Sequence, residues 1–367
     1  MSKIKIGIIF GGKSSEHEVS LQSAKNVFEA LDKTKYDPIL IGIDKEGRWH
    51  LNDQSQYLLN ADNPKLIQLN KSNKGVAIIP GEEKNQVMNL SSSDPFDQLD
   101  VVFPILHGPL GEDGSIQGML RMANIPFVGP GVLGSAVSMD KDIAKRLLKE
   151  AGFHVAKGFA FTKAKRNKID FAKIESELGL PMFIKPANQG SSVGVSKVKS
   201  TDEFEKAVDT AFEFDNKILI EEAIVGREIE CSVLGNEDPK ASILGEIVAQ
   251  RDFYSYEAKY IDETGALLEI PAKLPEELSE RVREEAVRAF ETLGCEGLSR
   301  VDFFVTEDEK IIVNEINTIP GFTKISMYPK LWEKTGISYS NLIDQLIQLA
   351  IDRFERDSQL KNTVEFD

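Results

Sequence analysis

Cysteine is nearly missing from the chain: Cys231 and Cys295 are the only two among 367 residues. That excludes a disulfide framework, and their separation excludes a metal site of the paired-cysteine kind. Long apolar runs are absent as well. No stretch approaches the ~20 residues that a membrane-spanning helix needs. The first apolar run is too short for a signal peptide and is broken by Lys3 and Lys5. Positive charge is in deficit, with 44 Lys plus Arg against 59 Asp plus Glu and a net charge of −15. This balance argues against a general nucleic-acid or acidic-membrane partner, yet leaves room for a local basic pocket. At this length the chain should hold two or three domains with ample core. The expectation is a soluble, cytoplasmic enzyme.

Periodicity divides the chain. Strand 4–10, helix 16–31 and strand 38–43 form a βαβ unit. Residues 52–98 are polar and broken, with 76–79 the one strand expected among them. Strand 100–106 leads into the Gly-rich HGPLGEDGSIQGML and a helix near Ser115, and 125–129 is a further short strand. This reads as one doubly wound α/β domain of about 135 residues. Helix 140–151 opens a second pattern: strand 156–161, helix 169–179, strands 182–186 and 193–198, helix 201–214 and strand 217–222. Strands then dominate at 228–234, 241–250, 299–306 and 310–316, with helices at 275–293 and 339–355. Strand-rich α+β sections therefore follow the α/β domain. The expected boundaries are 1–138, 139–226 and 227–367.

GIIFGGKS, residues 7–14, matches the phosphate-loop pattern G-x-x-x-x-G-K-[ST] letter for letter. In a working phosphate loop the middle residues form a turn whose N–H groups wrap phosphate. Here Ile8, Ile9 and Phe10 continue a buried strand, so only Gly11, Gly12 and Lys13 remain to turn the chain. The match is read as coincidence. Ser15 to Glu18 has capping-box form, with Ser15 as N-cap. Glu16 then sits at the carboxyl edge of the sheet, where open α/β folds bind ligands. It either meets such a ligand or simply complements the helix dipole.

FIKPANQGSSVGVSKV, 183–198, is a better phosphate site. Lys185 ends a strand, and Gly190, Ser191, Ser192 and Gly194 suit a flap over phosphates or, more plainly, a flexible hairpin. A lysine on an apolar strand needs an anionic partner. In RVDFFVTEDEKIIVNEIN, 300–317, EDEK reads as a hairpin turn. Pairing Thr306 with Ile311 sets Asp302 opposite Glu315 and Arg300 opposite Asn317, all on one face, with Val301, Phe303, Ile312 and Ile316 on the other. Opposed carboxylates repel unless something positive lies between them. Asp302, Glu315 and Asn317 suit magnesium; the alternative is Arg300 neutralising a carboxylate. Glu221 and Glu228 flank a turn, as ligands for adenine and ribose or as ordinary surface charge. DFYSYEAKYID, 252–262, is a candidate lid. NTIPGFTKIS, 317–326, brings Ser326 to a possible helix start, which suits a carboxylate. His107 lies in the Gly-rich loop and caps a turn or lines a site.

Taken together, FGGKSSEHEVSL, HGPLGEDGSIQG, MDKDIAKRLL, KPANQGSSVGVSKV, YEAKYID, RVDFFV and NEINTIPGFTKISMYP resemble the D-alanine–D-alanine ligases of the ATP-grasp superfamily, from 3 to about 356. The resemblance implies that ATP lies between the central and C-terminal sections. Lys141, Lys185 and Lys259 would hold its phosphates beneath a flap containing Ser191 and Ser192, and Glu221 and Glu228 would hold adenine and ribose. Asp302, Glu315 and Asn317 would bind two Mg²⁺, with Mn²⁺ able to substitute. Glu16, Ser191 and Tyr260 would form a hydrogen-bonded trio, Glu16 meeting the first D-alanine ammonium. His107 would lie near that substrate's carboxylate, and Ser326 would bind the second carboxylate. Arg300 and the Gly321 N–H would stabilise the oxyanion. The implied product is D-alanyl-D-alanine for peptidoglycan precursors, made through a D-alanyl phosphate by a cytoplasmic homodimer.

Relatives that make a D-alanyl–D-lactate ester carry phenylalanine at the lid tyrosine, so Tyr260 argues for the dipeptide. The polar 52–98 segment matches only longer members, and Glu222 stands where some relatives have lysine. A ligase using D-lactate or D-serine is the nearest other reading. A Rossmann dehydrogenase would carry G-x-G-x-x-G after the first strand, where this chain has GGKSSE. A non-catalytic nucleotide sensor would be expected to lose a metal ligand, a phosphate lysine or Arg300, and all are present.

Overall fold

Three sheets, each from a different sequence pattern, frame the molecule. The computed structural model describes residues 3–361 apart from 73, 82–85, 91–94 and 250–265. The first sheet has β1 (Ile4–Gly11), β2 (Tyr36–Ile43), β3 (Trp49–Asn52) and β9 (Val101–Ile105), in the order β3-β2-β1-β9. β1 runs parallel to β2 and β9 and is covered on both faces, so its apolar run is continuous. Ile6, Ile8, Ile9 and Phe10 are fully buried. Gly7 lies inside β1, paired with Ile39 and Val102.

α1 (His17–Ala30) starts one residue later than expected, and no side-chain cap forms at Glu16. Gly11 and Gly12, at φ 90° and 98°, redirect the chain, and the Gly12 N–H donates to the Ile43 carbonyl at 2.8 Å. Ser14 Oγ accepts the Glu16 N–H at 3.1 Å, while Glu18 turns out to Lys45 at 2.5 Å. The capping box at Ser15 is therefore replaced by this local turn.

The polar 52–98 segment holds more strands than its sequence suggests, in two small sheets: β4 (Leu58–Leu59) with β5 (Gln68–Leu69), and β6 (Val76–Ile78), β7 (Val87–Asn89) and β8 (Pro95–Asp97). Residues 125–129 make only a single bridge, Phe127 to Val102. Pro126 and Pro130 lack the N–H groups that a ladder there would need. α2 (Ser115–Met122) is followed by α3 (Val132–Met139), a helix hidden by its glycines, and α4 (Lys141–Glu150). A Cβ on Gly134 of α3 would meet the Gly294 carbonyl at 2.5 Å, so the small residue is there for packing.

The second sheet is antiparallel throughout, in the order β10-β13-β11-β12: β10 (Gly158–Thr162), β11 (Met182–Pro186), β12 (Ser196–Val198) and β13 (Lys217–Glu222). α5 (Phe171–Leu178) and α6 (Thr201–Phe214) pack on it through Ile174, Phe204, Val208 and Phe212. β12 begins three residues later than expected, because Ser191, Ser192 and Gly194 take φ of 52°, 60° and 70° and form turns.

The third sheet, also antiparallel, runs β16-β15-β14-β17-β18: β14 (Arg227–Gly235), β15 (Lys240–Ala249), β16 (Ala266–Glu269), β17 (Gly297–Val305) and β18 (Ile311–Asn317). α7 (Glu276–Thr292) buries Val282, Ala286 and Phe290 against one face, and α8 (Met327–Thr335) buries Met327 and Leu331 against Ile247 on the other. α9 (Tyr339–Ser358) returns to the first sheet, where Leu342, Ile343, Leu346 and Ile347 join the core of Ile8, Phe10 and Phe103. Arg353 of α9 donates to the carbonyls of Gly129 and Phe127 at 2.6 and 2.8 Å. Both cysteines are free and buried. Among the described residues no helix is long and apolar enough to cross a membrane.

Candidate active site

Two cavities open between these sheets and meet at Gly190, Ser191 and Glu315. The larger, of about 300 Å³, lies between the second and third sheets and is walled by Lys141, Lys185, Glu221, Glu228, Phe304 and Asn314. The smaller, of about 70 Å³, reaches into the first sheet's edge and is walled by Glu16, His107, Glu112, Arg300, Gly321 and Ser326. Lys13 borders neither of these two cavities.

The 300–317 hairpin sets the junction. Asp302 pairs with Glu315 and Arg300 with Asn317, as the spacing predicts. Toward the turn the register shifts by one: Phe303 pairs with Val313 and Val305 with Ile311. The extra residue is a β-bulge at Asn314, which re-aims side chains locally. Asn314 and Glu315 both reach the larger cavity as a result. Val313, rather than the expected Ile312, joins Val301 and Phe303 in the core, and Ile312 pairs with Phe304 on the other face.

The repulsion expected between Asp302 and Glu315 is answered by side chains. Arg300 donates to both oxygens of Asp302 at 2.7 Å, and its Nε stands 2.9 Å from Glu230. Asn317 Nδ2 donates to Asp302 at 3.0 Å, and Lys141 Nζ lies 3.5 Å from Glu315. Among the described residues no group of three or more His, Cys, Asp or Glu could hold a metal alone. The two carboxylates and the amide carbonyl of Asn317 are hard oxygen donors of the kind that would suit Mg²⁺.

α4 and β11 supply the lysines. Lys141 and Lys145 stand four residues apart on one face of α4, as helical geometry requires. Lys141 Nζ also donates to the Gln189 carbonyl at 2.7 Å. Lys185 and Lys145 each approach Glu221 at 2.6 Å, one on each carboxylate oxygen. Burial alone would raise the Glu221 carboxyl, but the two ammonium groups hold it at about 2. Glu221 is thus a buried counter-ion for lysines, a role that its expected assignment to adenine did not include. Glu228 stays on the cavity wall. Lys145 was missed by sequence reasoning; its signal is the four-residue step from Lys141.

At the other cavity, Ser191 Oγ donates to Glu16, which is 4% exposed. Tyr260 and Lys259, with the whole 252–262 lid, lie outside the described residues. His107 is buried, with Nδ1 2.9 Å from the Ile319 carbonyl and Nε2 3.0 Å from Ser23 Oγ. The carbonyl can only accept, so the proton sits on Nδ1 and the Ser23 hydroxyl donates to Nε2. Ser23 Oγ in turn accepts the Phe322 N–H at 3.1 Å. Burial pushes His107 down to about 4, so the ring is neutral and its nitrogens are spent on holding 319–322. His107 nonetheless lines the smaller cavity with Glu16, the pocket where it is expected to lie near a substrate carboxylate.

Glu112, also missed, accepts the N–H groups of Gly108 and Ile319, both at 2.8 Å. Burial, and then the neighbouring Glu16, push its carboxyl up to about 7. Its signal was its place in HGPLGEDGSIQG. Ile319 is therefore gripped at both ends of its backbone by the loop that follows β9. That grip fixes the turn carrying Gly321, where a Cβ would meet Ser326 Oγ at 2.7 Å. Ser326 is the N-cap residue of α8, as its sequence position suggests.

Comparison with known proteins agrees with this geometry. The family models described as D-ala D-ala ligase N-terminus and C-terminus match residues 5–130 and 147–348. A D-alanine–D-alanine ligase of Oceanobacillus iheyensis is 65% identical over 361 residues, covering 98% of this chain and 99% of that one. The solved D-alanine–D-alanine ligase of Coxiella burnetii superposes with a TM-score of 0.84 at 38% identity, covering 98% of this chain and 97% of that one. The VanG D-Ala:D-Ser ligase of Enterococcus faecalis gives 0.83 at 38% identity, covering 95% and 100%. The chain belongs to the D-alanine–D-alanine ligase family.

Proposed function

We propose that the protein joins two D-alanines into D-alanyl-D-alanine, converting ATP to ADP and phosphate. One observation carries the reading: the small acidic pocket opens into the lysine-lined cleft at Ser191 and Glu315, so a carboxylate in one faces a phosphate in the other. The first substrate's carboxylate oxygen attacks the γ-phosphorus and ADP leaves. The amine of the second, losing a proton, attacks the resulting acyl carbon, and inorganic phosphate departs with the bridging oxygen. No side chain becomes covalently attached; the protein positions the reactants and neutralises charge.

Glu16, braced by Ser191, receives the first ammonium, with Tyr260 as the third member of the trio. Lys141, Lys185 and Lys259 hold phosphates under the turn of Ser191 and Ser192, and Glu228 holds ribose. Arg300 and the Gly321 N–H stabilise the oxyanion, preorganised by the grip on Ile319. Ser326, at the start of α8, binds the second carboxylate. Asp302, Glu315 and Asn317 would hold two Mg²⁺, with Mn²⁺ as a substitute, which when bound neutralise charge on the transferring phosphoryl group. The antiparallel second and third sheets, facing across the cleft, fit the ATP-grasp plan, with sections 1–138, 139–226 and 227–367. A cytoplasmic homodimer contacting through the first section follows from the family resemblance.

Mass analysis of the products with D-alanine alone, and with D-serine or D-lactate added in equal amount, tests the substrate choice. D-Alanyl-D-alanine is expected to dominate all three mixtures. A dominant mixed product would contradict the assignment.

A further inference from the structure

Lys185 and Glu221 face the larger cavity, whereas Lys145 is not part of its wall. Lys145 stands behind Glu221, and all three groups are buried, at 7%, 9% and 4% exposure for Lys145, Lys185 and Glu221. Two ammonium groups share the Glu221 carboxylate, each at 2.6 Å, and Glu315, the other anion acting on both, is itself met by Lys141 at 3.5 Å, so three ammonium groups face two carboxylates. A buried excess charge calls for an anion, and a buried carboxylate stripped of its cation is strongly unfavourable. If Lys185 were the sole partner of Glu221, moving toward a phosphate would leave that carboxylate unpaired.

We propose that Lys145 is a positioning residue for nucleotide binding: it remains on Glu221 as the standing counter-ion, and so lets Lys185 be shared with a phosphate in the cleft. The inference rests on the ATP-dependent reading above. Strand geometry supports the division of labour. Phe183 pairs with Glu221 and Lys185 with Leu219, so Lys185 and Glu221 are diagonal neighbours on one face of β11 and β13. Lys185 can turn between carboxylate and cavity, while Lys145, on α4 and outside the cavity wall, stays against the carboxylate.

The test is the affinity for a non-hydrolysable ATP analogue, with the kinetic constants for ATP and D-alanine, in three forms of the full chain. Lys145→Met is expected to weaken analogue binding and raise the KM for ATP at least tenfold, with the KM for D-alanine unchanged within twofold. Adding Glu221→Gln removes the charge that Lys145 balances, and is expected to restore analogue binding to within threefold of the unaltered protein. Wild-type affinity in Lys145→Met, or a double variant no better than the single one, would overturn the inference. If Lys145→Met fails to fold, as judged by circular dichroism and its melting profile, the double variant decides. It must then fold and bind within threefold, and failure to do so overturns the proposal. An unaltered protein that binds no analogue would instead overturn the ATP reading on which the inference stands.

Discussion

Ile319 is a backbone unit held from both sides, its N–H by Glu112 and its C=O by His107. The imidazole Nδ1–H can donate to that carbonyl in either protonation state, but only the neutral ring can accept the Ser23 hydroxyl at Nε2. Its folded-state value of about 4 lies below the ordinary 6.5, because burial disfavours the charged form. A depressed value means that the contribution is complete above about 6.5 and is lost as pH falls through about 4, when the folded ring must take up a proton. The gap corresponds to about 3 kcal/mol of stability. Glu112 changes stability in the opposite direction over the same range, so the loss is read as the difference in denaturant unfolding between the protein and His107→Asn from pH 7 to pH 4, with stability falling less in the variant. An equal fall in both would contradict the assigned role. Glu112 has the opposite sign: its raised carboxyl favours the fold at low pH, and that benefit fades as pH rises through about 7. His107 was legible as a pocket residue from its motif. Its tautomer and occupied nitrogens were not, since they depend on Ser23 and Ile319, far away in sequence. Lys145 and Glu112 were not singled out, because sequence alone does not report burial.

At the scale of elements, glycines decide where chain direction changes, and two of them separate strain from crowding. Gly11 has φ 90° and would place a Cβ 2.2 Å from the Ile43 carbonyl, whereas Gly47 has φ 87° with nothing within 4 Å. Gly47→Ala should cost about 1 kcal/mol, the left-handed penalty alone. Gly11→Ala adds a backbone clash and should cost on the order of 3 kcal/mol or more. Equal midpoint shifts in chemical denaturation would show that the β1 turn is not held as described. The same turn explains why the 7–14 pattern was deceptive: five of its eight residues are strand. Long elements were legible because their periodicity repeats, as in β1, β2, α6, α7 and α9. Strands of two or three residues in 52–98 offer no period to detect, and α3 was masked by glycine. The hairpin register was legible at its site end, where Asp302 meets Glu315, and failed toward the turn because a bulge leaves no clear mark in sequence.

At the scale of the molecule, parts of all three sheets meet around the two cavities. The first contributes Glu16, His107 and Glu112; the second contributes Lys185, Glu221 and the Ser191 turn; the third contributes Arg300, Glu315 and Gly321. α9 ties the third sheet to the first through a shared core, which keeps the acidic pocket registered on the 300–317 hairpin. The central claim is that a D-alanine carboxylate in the small pocket takes phosphate from the nucleotide in the large one. Its most direct test uses D-alanine carrying ¹⁸O in both carboxyl positions, with unlabelled ATP and Mg²⁺. The account predicts that each phosphate released contains one ¹⁸O and is matched by one D-alanyl-D-alanine. Phosphate released without label, or labelled phosphate with no dipeptide, would contradict it.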